Sequence, residues 1–148
     1  MTMGMIDSEL VFAEGQAVTN IGDTPSTNDY EAANAYLGSA GLTTENLWVQ
    51  AFCSGTAASG GAATLQAVLQ DSADGVTYND VATGEIFPVA DLTAGTQLLA
   101  LQPPPGMEQY WRIVWRVATA ALTAGTFDAF ISNTLQRNTA QPSGFSVA

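Results

Sequence analysis

The chain has 148 residues, enough for one domain with a real hydrophobic core, and only 11% of them are charged, against about 25% in an average globular protein. Fourteen carboxylates face three arginines, with no lysine and no histidine, for a formal net charge of −11. That balance argues against phosphate backbones and anionic membrane surfaces as partners; the missing lysine and histidine exclude a phosphate-binding lysine, a Schiff base, a Ser-His-Asp triad and the usual transition-metal sites.

The opening MTMGMIDSEL has neither the basic start nor the apolar stretch of a signal peptide. No segment approaches the roughly 20 apolar residues of a membrane span. The expectation is a product made in a cytoplasm. Short runs with strand chemistry then recur, each closed by glycine, proline, asparagine or aspartate. Strands are expected near 6–13 (IDSELVFA), 16–21 (QAVTNI), 46–53 (NLWVQAFC), 64–70 (TLQAVLQ), 76–82 (VTYNDVA), 85–90 (EIFPVA), 96–102 (TQLLALQ), 108–118 (EQYWRIVWRVA) and 125–133 (GTFDAFISN). This spacing predicts an all-β sandwich or barrel. The one helical signal is DYEAANAYL, 29–37, where asparagine and aspartate suit an N-cap; a turn or two of helix inside a loop is expected. Residues 54–63, SGTAASGGAA, read as a loop of small side chains.

Cys53 is the only cysteine and sits in the apolar run LWVQAFC, so it is expected to be a buried, inert thiol. The stretch LQDSADGVTYNDV, 69–81, crowds five oxygen-bearing side chains around Gly75. As a calcium loop it fails in register. Counted from Asp71, positions 3, 5 and 12 are Ala73, Gly75 and Ala82, where ligands are needed. Asp74-Gly75 between two strand-like runs instead predicts a hairpin turn, and no metal or cofactor is expected.

At 110–117 the period of two is clear. Trp111, Ile113, Trp115 and Val117 share the face expected to be core; Tyr110, Arg112, Val114 and Arg116 share the other. Arg112 and Arg116 are two of the three cations. Internal ion pairs within the sheet are one reading of them, and contacts to a partner subunit are another. Arg137 is open to the same two readings. The tail LQRNTAQPSGFSVA, 135–148, carries no strand or helix pattern over its length. Its Phe145 and Val147 alternate as strand anchors do, which suits addition to a neighbour's sheet edge.

The segments IDSELVF, GQAVT (15–19) and STN (26–28) together resemble the start of the jelly-roll cement, or decoration, proteins of tailed bacteriophages. The hairpin DSADGVTYNDV, the proline turn PPPG before YWRIVWRV, and TAG (123–125) before TFDAFIS extend the resemblance over nearly the whole chain. After STN the pattern departs, with NDYEAANAYLGSAG in place of another strand. The resemblance implies a single-domain antiparallel β-sandwich of jelly-roll type, with a body at 1–134 and an extended arm at 135–148; residues 1–5 would form a further arm. It implies a protein of the virion exterior that fastens major capsid subunits, associates with itself as a homodimer or homotrimer, and has no catalytic residues. Two rival functions stand beside it. A carbohydrate-binding jelly roll would stack sugars on Trp48, Trp111, Trp115, Tyr78 and Tyr110, and so needs those rings in solvent. A carboxylate hydrolase would need two acids facing across a cleft.

Overall fold

The computed structural model describes residues 10–31, 48–104 and 106–132. Nine strands lie in these residues: β1 Val11–Ala17, β2 Gly22–Pro25, β3 Tyr30–Glu31, β4 Trp48–Ala58, β5 Thr64–Ser72, β6 Asn79–Pro88, β7 Gln97–Leu101, β8 Tyr110–Ala118 and β9 Ala124–Ser132. A 3-10 turn, Val89–Asp91, follows β6. The first sheet has the order β1-β9-β4-β7; the second has β2-β8-β5-β6, with β3 also on β8. All pairings are antiparallel.

Taking β2 and β3 as one interrupted strand, the pairs β1–β9, β2/β3–β8, β4–β7 and β5–β6 are nested. They are the rungs of one long hairpin rolled up on itself, and β9–β4 and β8–β5 close the roll. This is a jelly-roll sandwich.

The core lies between the sheets. Trp111, Ile113 and Trp115 of β8 are 0% exposed and meet Phe127, Ala129 and Ile131 of β9 and Val49, Ala51 and Cys53 of β4. The STN stretch stitches one side of the sandwich. Ser26 donates its backbone N–H to Ile113 (2.7 Å) in the second sheet, and Asn28 donates its own to Phe12 (2.8 Å) in the first. Gln16 adds to the seam by accepting from Trp115 Nε1 at 3.0 Å. On the opposite side β6 runs so close to β7 that a Cβ on Gly84 would lie 2.8 Å from the Leu98 carbonyl oxygen.

Several expectations need correction. The first strand does not end before Gly15. It runs on through a bulge, where Gly15 adopts φ +60° and gives its N–H to the Asp128 carboxylate. The second strand is not 16–21 but GDTP at 22–25, read from sequence as punctuation. As an edge strand it tolerates Pro25, which has no N–H to give. Tyr30–Glu31, expected to open a helical turn, is instead a two-residue strand on Trp111 and Tyr110; the rest of that segment, 32–37, lies outside the described residues. SGTAA, expected to be loop, continues β4 to Ala58. Its small side chains fit because β9 passes close by, and a Cβ on Gly55 would collide with the Thr126 hydroxyl. The runs 76–82 and 85–90 are not separate strands: one strand, β6 at Asn79–Pro88, covers most of both, with one register shift across Gly84 and another between Asp80 and Ala82. The arms at 1–5 and 135–148 lie outside the described residues.

Candidate interaction face

Alternation on β5 and β8 turns Leu65, Ala67 and Leu69 inward with the tryptophans, and Gln66, Val68 and Gln70 outward with Arg112, Val114 and Arg116. The outward residues form a belt across the second sheet. Arg116 grips Asp23 of β2 with two bonds, Nε to Oδ1 at 2.8 Å and a terminal nitrogen to Oδ2 at 3.0 Å. It also reaches Asp80 of β6 at 3.1 Å. Asp80 accepts from Gln70 Nε2 at 2.7 Å, and Gln70 Oε1 accepts from Arg112 Nε at 2.9 Å. The Arg112 guanidinium lies 3.8 Å above the Tyr78 ring, a cation–π distance, and the Tyr78 hydroxyl donates to Asp29 at 2.8 Å.

The belt is continuous from Asp23 to Asp29. Val68 and Val114 sit in its middle and are buried although they face away from the core. Arg116 is held at Asp23 on one flank and Asp80 on the other, with 32% of its side chain exposed. Asp80 is held below the ordinary carboxylate value by hydrogen bonds from Arg116 and Gln70. Burial, together with the bond to Asp29, pushes Tyr78 up to about 12.

The structure thus pairs Arg112 and Arg116 within the chain. Arg137, Phe145 and Val147 lie outside the described residues. Gln70 and Asp80 join the two arginines; Gln70 was not singled out in the sequence, Asp80 was read only as one of the oxygen-bearing side chains of 69–81, and Tyr78 only as a sugar-stacking candidate. The period of two in TLQAVLQ does place Gln66 and Gln70 on one face, but nothing in it names Asp80 as their neighbour across the hairpin.

One prediction follows from the belt. The two acids stay exposed to water if Arg116 is lost, so Arg116→Met should cost only about 1 kcal/mol at neutral pH. Asp80 is depressed in the folded state, so its contribution is complete above the ordinary 3.8 and fades as the pH falls through the lower folded value. Urea unfolding at pH 7 and below pH 3.8 should show the gap between wild type and variant shrinking with acid. A constant gap would mean the belt's worth is packing and not charge.

The loop after β5 has its own hydrogen bonds. Ser72 Oγ accepts the N–H groups of Asp74 (3.2 Å) and Gly75 (2.9 Å), and Asp74 Oδ1 accepts those of Val76 and Thr77, both at 2.8 Å. These bonds lower the Asp74 pKa. Gly75 adopts φ +74°, as the turn demands, against the Tyr110 ring. Asp71 points elsewhere, accepting the Glu108 N–H at 2.9 Å, while the Glu108 carbonyl takes Trp111 Nε1 at 2.7 Å. Asp71, Asp74 and Asp80 therefore serve three separate sets of partners. Among the described residues no three His, Cys, Asp or Glu side chains gather as a metal site would require. Trp111 and Trp115 are core, which removes both from any sugar-stacking surface.

Cys53 is 0% exposed and donates to the Gly55 carbonyl at 3.2 Å; burial pushes its thiol up to about 11. At pH 8 the native protein should leave a thiol-reactive dye unreacted and take up one equivalent per chain in denaturant. Rapid native labelling would contradict the burial.

Fold and face together define an antiparallel jelly-roll sandwich with a polar, internally bonded outer sheet. The chain matches the Bbp16 family over residues 12–131 and belongs to that family. No curated protein matches it at a significant level.

Proposed function

We propose that this protein is a structural component of a virion. In this reading it is a cement protein on the outer surface of a tailed-phage capsid, fastening neighbouring major capsid subunits and working as a homodimer or homotrimer. The observation that carries the reading is the agreement between resemblance and framework. The segments that resemble the jelly-roll cement proteins hold the structural joints of this fold. GQAVT spans the end of β1 with its bulge, STN bridges the two sheets, PPPG leads into β8, and TAG opens β9. The composition supports it as well. A soluble chain with 11% charged residues carries much neutral surface, which suits many weak contacts repeated over a lattice.

The test is co-sedimentation of the purified protein with empty shells of the major capsid protein encoded in the same genome. Saturable binding is the expected result. A protein that stays in the supernatant at every concentration would end the capsid reading, and glycan binding would be examined next.

A further inference from the structure

We infer that the protein docks through the outer face of its second sheet, and that the surface it fits is a positively charged protein surface with small apolar pockets. This inference rests on the capsid reading and assigns it a face and a partner chemistry.

The two outer faces differ. On the first sheet, Gln50, Phe52, Asp128, Phe130 and Ser132 point away from the core, yet none exceeds 6% exposure. The centre of that face is closed, and Ala100 at its β7 edge is exposed. On the second sheet Val68, Gln70 and Val114 are likewise buried, but the charged residues above them are open, with side-chain exposures of 32% for Arg116, 48% for Asp23 and 41% for Asp80.

The exposed large hydrophobic residues also fall on this side. Ile21 (59%) immediately precedes β2, Val76 (81%) tips the loop between β5 and β6, and Ile86 (60%) lies on β6. Ile86 pairs with Gln66, which pairs with Arg116, so it belongs to the outward face. Gly22 pairs with Val117 and Ser72 with Tyr110, so Ile21 and Val76 sit beyond opposite ends of β8. Single exposed apolar residues are ordinary. Among the described residues, three of them framing one sheet, with none on the other, are a pattern.

Val76 is also held in place. The Ser72 and Asp74 bonds fix a loop whose tip buries nothing within the chain. A loop fixed before contact loses little entropy on docking. The belt is satisfied internally, so a partner can cover it without stranding its polar groups.

Charge sets the partner's sign. Arg112 and Arg116 are outnumbered on this side by Asp23, Asp29 and Asp80, and the whole chain carries −11. A second copy of the same face would be repelled, and a basic surface attracted.

The experiment uses the full chain and the same empty shells, with Val76→Asp, Ile86→Asp and, on the first sheet, Ala100→Asp, each checked by thermal unfolding. The expected result is binding weakened by about tenfold or more for Val76→Asp and Ile86→Asp, binding unchanged for Ala100→Asp, and tighter wild-type binding at low salt. Should an aspartate variant melt early, Val76→Thr and Ile86→Thr keep the β-branched shape and read the same loss on a smaller scale. If wild type binds and the second-sheet variants bind equally well, the docking face is wrong while the capsid reading stands. Loss confined to Ala100→Asp also overturns this face. If wild type itself fails to bind, both ideas fall.

Discussion

Replacing Trp115 with alanine is expected to destabilise the sandwich by about 3–5 kcal/mol, a large part of the stability of a domain this size. Trp115 stands on β8 of the second sheet but its contacts are with the first. Its ring lies 5.2 Å from that of Phe127 on β9, and its Nε1 donates to Gln16 on β1 at 3.0 Å. It is 0% exposed, so truncation leaves a cavity between the layers and takes from Gln16 Oε1 one of its two donors, the Thr27 N–H at 3.2 Å remaining. Trp115→Phe should cost less, because a ring still meets Phe127 while the bond to Gln16 goes. Denaturant unfolding of the three proteins measures this. A loss below about 1 kcal/mol for the alanine variant would mean that Trp115 does not join the sheets as described.

The second large effect is expected at a residue with no side chain. Gly84→Ala should destabilise the fold by about 1–3 kcal/mol, where an ordinary glycine-to-alanine change inside a strand is mildly stabilising. The added methyl would sit 2.8 Å from the Leu98 oxygen and 3.0 Å from the Ala67 oxygen. Both are backbone atoms, so no rotamer change relieves the clash, and β6 must move away from β7. The same substitution at Gly60, where a Cβ meets nothing within 4 Å, is the control and should change little. Equal tolerance at both positions would contradict the close approach of the sheets.

Much of the framework was legible because buried strands advertise themselves. The alternation of Trp111, Ile113, Trp115 and Val117 needs only the period of a strand, and the structure buries all four. The β5–β6 hairpin was legible from Asp74-Gly75, although only Gly75 takes a positive φ and the connection runs over the six residues 73–78. Harder to see were places where a local signal is overruled by a distant partner. GDTP has no strand chemistry, yet β8 offers it an edge to pair with. DYE suits a helix start, yet Tyr30 finds the Trp111 ring at 5.7 Å and the chain extends to reach it. Gly15 and Gly84 read as breaks, although one forms a bulge and the other admits a neighbouring strand.

The face was half legible. Arg112 and Arg116 were visible as a pair on one side of one strand, with internal ion pairs as one reading of both; Arg116 meets two carboxylates, whereas Arg112 meets the Gln70 amide and the Tyr78 ring. Which carboxylates was not legible. Asp23 and Asp80 lie 93 and 36 residues from Arg116, and only the jelly-roll strand order brings them to either side of it.

The central claim is that this protein holds a shell together, and the most direct measurement is the disruption temperature of empty capsid shells with and without it. Decorated shells are expected to survive to a higher temperature, with the shift saturating as binding saturates. Shells that bind the protein in full and yet come apart at the same temperature as bare ones would contradict the cement role.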